Sequence, residues 1–234
     1  MNKLRDLLLK WNIAIDDYQY DQFVRYYELL AEWNQKMNLT NICEKDDVIV
    51  KHFLDSSALL KYLDLSDKTL LDVGTGAGFP GVVIKILCPS CSITLMDSLN
   101  KRLVFLEEVI KELSLKDIVT VHSRAEDLAH TKNYRESFDI VTSRAVANLS
   151  TLSEYSIPFA KKNGFFIPYK SGNIDNELSG SERALHLLDS YVEKVEKFSL
   201  PDTDYERSLL FIRKKSSTNK LYPRKAGTPS KNPL

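Results

Sequence analysis

The chain has 234 residues, 43% hydrophobic and 27% charged, with 32 Lys and Arg balancing 32 Asp and Glu. That composition belongs to an ordinary globular chain able to bury a core, and zero formal net charge excludes a protein that is polybasic as a whole. No apolar run approaches the roughly 20 residues of a membrane span, and MNKLRDLLLKWN offers only Leu7, Leu8 and Leu9, too short for a signal-peptide core. A cytoplasmic protein without a membrane partner is expected.

The N-terminal third has helical period. In YDQFVRYYELLAEWNQKM, Phe23, Tyr26, Tyr27, Leu30, Trp33 and Met37 recur three to four apart and predict one apolar helix face. A second helical stretch runs over 46–63. No glycine precedes Gly74, so residues 1–63 read as a helical appendage whose aromatics pack in a core.

The period then shortens. TLLDV, SITLMD, DIVTVH, FDIVTS, GFFIPYK, YVEKVEKF and SLLFIR read as successive strands, most of them separated by helical patterns such as 101–113. Alternating strands and helices predict a Rossmann-like α/β fold with a doubly wound, mostly parallel sheet over 64–214. The last two strands lack an intervening helix, which predicts a closing antiparallel hairpin. Residues 130–136 read as an unremarkable loop. Residues 215–234 contain three prolines and no acid, the pattern of an irregular basic tail.

The three cysteines are an odd, small set that fits a reducing compartment. Cys88-Pro-Ser-Cys91 reads as a helix end before a strand rather than as a redox pair, and with Cys43 it is short of a four-ligand zinc site. His52, His122, His130 and His186 are scattered, so no metal is expected.

LLDVGTGAGFPG, at the end of the first strand, carries Gly74, Gly76, Gly78 and Gly81. Ligands of open parallel sheets bind at this end of the strands, and glycines there let a ligand approach the backbone. Gly76 and Gly81 have the spacing of a phosphate loop, but Val82-Val83 replace its lysine and hydroxyl residue. A dinucleotide fingerprint would need glycine where Phe79 stands. What remains, an acid at Asp72 followed by Gly74-x-Gly76-x-Gly78, resembles motif I of class I S-adenosylmethionine-dependent methyltransferases. Asp97 ends the next strand, where an acid accepts hydrogen bonds from ribose hydroxyls. SRAED follows the third strand, where Ala125-Glu126 would meet the adenine. A helix is expected to begin near Phe79 and to add backbone donors.

The target atom is narrowed by what is missing. The fourth strand ends in Thr142-Ser143-Arg144-Ala145-Val146, without the Asn/Asp-Pro-Pro-Tyr/Phe loop frequent in enzymes acting on exocyclic amines, and no cysteine is placed as a nucleophile for cytosine C5. A ring nitrogen such as guanine N7 needs neither. It attacks the sulfonium methyl with its free lone pair, the positive charge passes to the base, and no proton must leave. Proximity and alignment then carry the catalysis.

WNQKMNLTNI, HFLDSS, DVGTGAGFPG, SRAED, SRAVA and YPRKAGTPSKNPL together resemble the RsmG (GidB) family of bacterial 16S rRNA guanine-N7 methyltransferases, over nearly the whole chain. The resemblance implies S-adenosyl-L-methionine as cofactor and cofactor contacts at Gly74, Phe79, Ala125, Glu126 and Arg144. The reading of the residues adds Gly76, Gly78 and Asp97. It also implies 16S rRNA, or the small subunit that contains it, as partner. The family's lysine after the fifth strand falls on Lys170. Lys170, Lys220, Arg224 and Lys225 are the expected RNA contacts, within an acid-free series that also holds Arg213, Lys214, Lys215 and Lys231. His52 and Asp55, one helical turn apart, read either as site residues or as satisfied core. No catalytic acid or base is assigned, and a single copy is the expected working unit. The alternatives are a small-molecule methyltransferase and a non-catalytic RNA-binding or ribosome-assembly factor.

Overall fold

The computed structural model describes residues 1–234. Seven strands form one sheet in the order β3-β2-β1-β4-β5-β7-β6. They are β1 Thr69–Val73, β2 Ser92–Asp97, β3 Ile118–His122, β4 Phe138–Arg144, β5 Ala160–Ser171, β6 Ser190–Ser199 and β7 Glu206–Lys214. The first five strands pair in parallel, whereas β7 lies antiparallel between β5 and β6. This is the expected doubly wound sheet with its closing hairpin. β1 is buried from Leu70 to Val73, and its Leu70, Leu71 and Val73 supply the apolar side chains that burial on both faces needs. From β1 the chain steps outward to β2 and β3, then returns to β4. The ends of β1 and β4 therefore flank the point where the winding reverses, with Gly74 after one and Arg144 closing the other.

The helix Asp17–Met37 starts with a reciprocal cap. Asp16 accepts from the Gln19 amide at 2.7 Å, and the Gln19 side chain accepts from the Asp16 amide at 3.1 Å. The second stretch is one continuous helical path over 45–61, whose central part, Val48–Leu54, is wound with wider i→i+5 hydrogen bonds. The two pack on each other and on the loop after β1: Phe23 lies 5.1 Å from Phe53, and Tyr26 lies 5.3 Å from Phe53 and 5.5 Å from Phe79, ring centre to ring centre. Burying each such ring is worth about 1.5–3 kcal/mol. Residues before 64 thus share one hydrophobic core with β1, β2 and the helix Asn100–Glu112.

The helix after β1 begins at Gly81, two residues beyond Phe79. Pro80 precedes it, and the Gly81 amide donates to the buried Asp72 carboxylate at 2.9 Å, satisfying one of the orphan donors of the first turn. Cys91 is buried and its thiol is pushed up to about 12 by that burial, the opposite of an activated thiolate.

The expected irregular tail is folded back on the body and ends in a short helix, Thr228–Lys231. Its anchors come from the supposed plain loop at 130–136. His130 Nε2 donates to the Pro223 carbonyl at 2.8 Å, and Arg135 donates to the carbonyls of Thr218 and Tyr222 at 2.8 and 3.0 Å. Glu136 accepts from the Thr218 amide at 2.8 Å. No helix is long and apolar enough to cross a membrane, and no three His, Cys, Asp or Glu side chains cluster to hold a metal.

Candidate active site

Asp72 organises the glycine loop from beneath. Its Oδ2 accepts from Thr75 Oγ1 at 2.7 Å and from the Gly81 amide, tying the two ends of the loop together. Its Oδ1 is buried without a partner. Burial pushes this carboxyl up to about 6 against these hydrogen bonds and the nearby Arg144 charge. Gly74 and Gly78 both have positive φ, at 69° and 96°. A Cβ at Gly74 would stand 2.7 Å from Val146, and one at Gly78 would stand 2.6 Å from both the Tyr26 hydroxyl and Val82. Beside Gly76 there is open space.

The loop borders a cleft of about 540 Å³, lined by Gly74, Asp97, Ala125 and Glu126 among the expected residues. Gly76, Gly78 and Phe79 shape the loop but do not line this cleft, and Arg144 does not either. The cleft suits an S-adenosyl ligand. Asp97 is buried at its floor, accepting from the Gly76 amide at 3.0 Å and the Leu99 amide at 2.9 Å, with Arg102 Nη1 at 3.1 Å. A carboxylate has about four acceptor positions, which leaves capacity for a ribose hydroxyl. Ser98, Arg102, Ser123, Arg124, Tyr155, Gly227 and Ser230 also line it and were not expected. Arg124 stood within SRAED, and Gly227 and Ser230 within YPRKAGTPSKNPL; Tyr155 arrives through the fold alone.

Arg144 faces a second cleft, of about 790 Å³, with Lys51, His52, Asp55, Lys170 and Arg207. Ala145 lines both clefts and has φ of 59°, a strained value for a residue with a Cβ. Arg144 Nη1 donates to the Lys51 carbonyl at 2.8 Å and to Asp55 Oδ2 at 3.2 Å, and its guanidinium stands 5.3 Å over the Phe79 ring. Arg207 donates to both Asp55 oxygens at 3.2 Å. His52 stacks on Phe79 at 4.3 Å with 13° between planes. His52 and Asp55, read either as site residues or as satisfied core, are both buried, both line this cleft and both hydrogen-bond Arg144.

The cations divide. Lys170 lines the second cleft but is held by Glu177 at 2.5 Å and the Ala147 carbonyl at 2.9 Å. Arg224, another expected RNA contact, is engaged within the body. Its guanidinium and amide make hydrogen bonds to the fully buried Glu154 at 2.7–3.2 Å, because a carboxylate buried this deeply requires a cation. Arg213 is paired with Glu193 at the surface, whereas Lys214 is buried and paired with Glu136. Lys220, Lys225 and Lys231 are exposed and make no ion pair.

Sheet order, glycine loop and acid at the end of β2 define the class: a Rossmann-like methyltransferase fold. Solved structures share that fold at low identity. A SAM-dependent methyltransferase from Aquifex aeolicus matches with TM-score 0.54 and 16% identity over 75% of this chain and 96% of that one. M. jannaschii TYW2 in complex with AdoMet matches with TM-score 0.57 and 10% identity over 70% and 76%. The family model of rRNA small subunit methyltransferase G (GidB) matches residues 19–209. Proteins named ribosomal RNA small subunit methyltransferase G are 53% identical in Lachnoclostridium phytofermentans, over 94% of this chain and 91% of that protein, and 49% identical in Lactobacillus johnsonii, over 97% and 96%. The chain belongs to this family.

Proposed function

We propose that the protein methylates N7 of a guanine in 16S rRNA, using S-adenosylmethionine held in the cleft beside Gly74. The carrying observation is the adjacency of two clefts that meet at Ala145, one bordered by the glycine loop and Asp97, the other lined by Lys51, Arg144, Lys170 and Arg207. The cofactor supplies an electrophilic methyl on sulfonium; the N7–C bond forms as the S–C bond breaks, and the charge passes to the base.

The chain's task is positioning. Gly74 lets the ligand meet bare backbone, Asp97 orients the ribose, and Ala125-Glu126 face the adenine. Arg144, immobilised by His52, Asp55 and Phe79, fixes the wall between donor and acceptor. The acceptor cleft's cations attract phosphate around the target base. Three parts contribute: residues 1–63 hold Arg144, residues 64–214 form the cofactor fold, and residues 215–234 present Lys220 and Lys225 outward.

The test is mass mapping of 16S rRNA from cells with and without the gene, followed by N7-methylguanine-specific cleavage of RNA methylated in vitro. One guanine gaining a methyl and becoming cleavable supports the reading. A small-molecule product formed without RNA would replace it.

A further inference from the structure

We propose that the C-terminal segment around Arg224–Ser230 is a wall of the cofactor cleft, closing the adenosine end of the S-adenosyl ligand, and that Glu126 and Glu154 are the posts that hold it. This rests on the reading of that cleft as the cofactor site.

The segment lies beyond residue 209, where the family model's match ends. Gly227 and Ser230 nevertheless line the same cleft as Asp97, Ala125 and Glu126. Glu126 Oε1 accepts from the Gly227 amide at 2.9 Å. One oxygen of the acid expected beside the adenine is thus spent on the strap, which makes Glu126 a positioning residue as well as a lining one. Gly227 has φ of 82°, a conformation that side chains with a Cβ resist.

Two further links set the height of the wall. Arg224 locks onto Glu154, on the helix Leu149–Ser156 that also supplies Tyr155 to the cleft. On the same helix, Ser150 and Thr151 donate to the carbonyls of Leu234 and Pro229 at 2.8 and 3.0 Å. The strap is therefore fastened on both sides of Gly227, while Lys220 and Lys225 point away from the body. One segment serves two surfaces: its inner side closes the cofactor cleft, and its outer side carries the free cations.

The test is calorimetry with S-adenosylhomocysteine on the full chain, on a chain ending at Ser217, and on Gly227→Val, with circular dichroism and melting as fold controls. Tryptic cleavage at Lys220 and Lys225 of the full chain is followed with and without the ligand. The full chain should bind, and each variant should weaken binding by about tenfold or more, a change equal to one wall of contacts. Ligand should slow cleavage at both lysines. Unchanged affinity in a folded variant overturns the proposal. If neither variant folds, unaltered cleavage in the presence of bound ligand overturns it. Failure of the full chain to bind S-adenosylhomocysteine at all would instead overturn the cofactor reading beneath it.

Discussion

Arg144 Nη2 lies 3.0 Å from His52 Nδ1. A guanidinium only donates, so Nδ1 must accept, and the ring proton must sit on Nε2, 2.9 Å from Thr40 Oγ1. Burial and the Arg144 charge hold this imidazole down to about 3. His52 is thereby a neutral partner of Arg144 throughout the physiological range, with both ring nitrogens already engaged.

Single-turnover methylation should accordingly show no inflection from His52 between pH 5 and 8, with RNA binding checked constant. Arg144→Ala should slow the step by about 100-fold, as misalignment of reacting groups does. His52→Ala should cost less, because Asp55 and the Lys51 carbonyl still hold the arginine. A sharp bell abolished in the His52 variant would mean general-base catalysis and a different target atom.

Asp72 supplies a pH dependence of stability with a defined sign. Its carboxyl is raised from 3.8 to about 6, so the folded state binds the extra proton and is favoured at the acid end of that window. Stability lent by this group falls as pH rises from about 4 to about 6, by about 3 kcal/mol, and is flat above. His52 acts oppositely: the unfolded chain takes up its proton first, so stability is lost as pH falls from 6.5 towards 3. Denaturant unfolding of Asp72→Asn should remove the first slope and leave the second. A difference between variant and parent that does not vary from pH 4 to 6 would refute the assignment.

The glycines of the loop should separate into two kinds. Gly78→Ala combines a strained φ with a Cβ 2.6 Å from Tyr26 and Val82, and should lower stability by about 3 kcal/mol. Gly76→Ala meets no atom within 4 Å and carries only the cost of its φ of 60°, about 1–2 kcal/mol. Its larger effect should be on S-adenosylhomocysteine affinity, because the Gly76 amide donates to Asp97 at the cleft floor. Melting curves and calorimetry on the two variants measure both quantities.

Lys220→Gln and Lys225→Gln should each reduce the salt-dependence slope of RNA binding by about one. Arg224→Gln should leave that slope unaltered and lower the melting temperature, because it leaves Glu154 buried without its full partner. Filter binding across a salt series distinguishes them. A slope that falls equally for Arg224 would show that its guanidinium leaves Glu154 to reach phosphate.

The period change near residue 69, the absence of a helix between the last strands and the Asp72–Gly78 spacing made the sheet, its hairpin and the cofactor loop legible in the sequence. These are local patterns, set by side-chain alternation and by backbone conformations that only certain residues adopt. Asp97 was legible too, as an acid closing a strand. Tertiary structure alone decided which way the cations point. Lys214 and Arg224 look alike in a run of charge, yet each turns inward to a carboxylate distant in sequence, at Glu136 or Glu154. The same holds for Gly227 at the cofactor cleft and for His52 beneath Arg144. Such positions depend on chain segments separated by tens of residues meeting in space, and no local periodicity records that meeting.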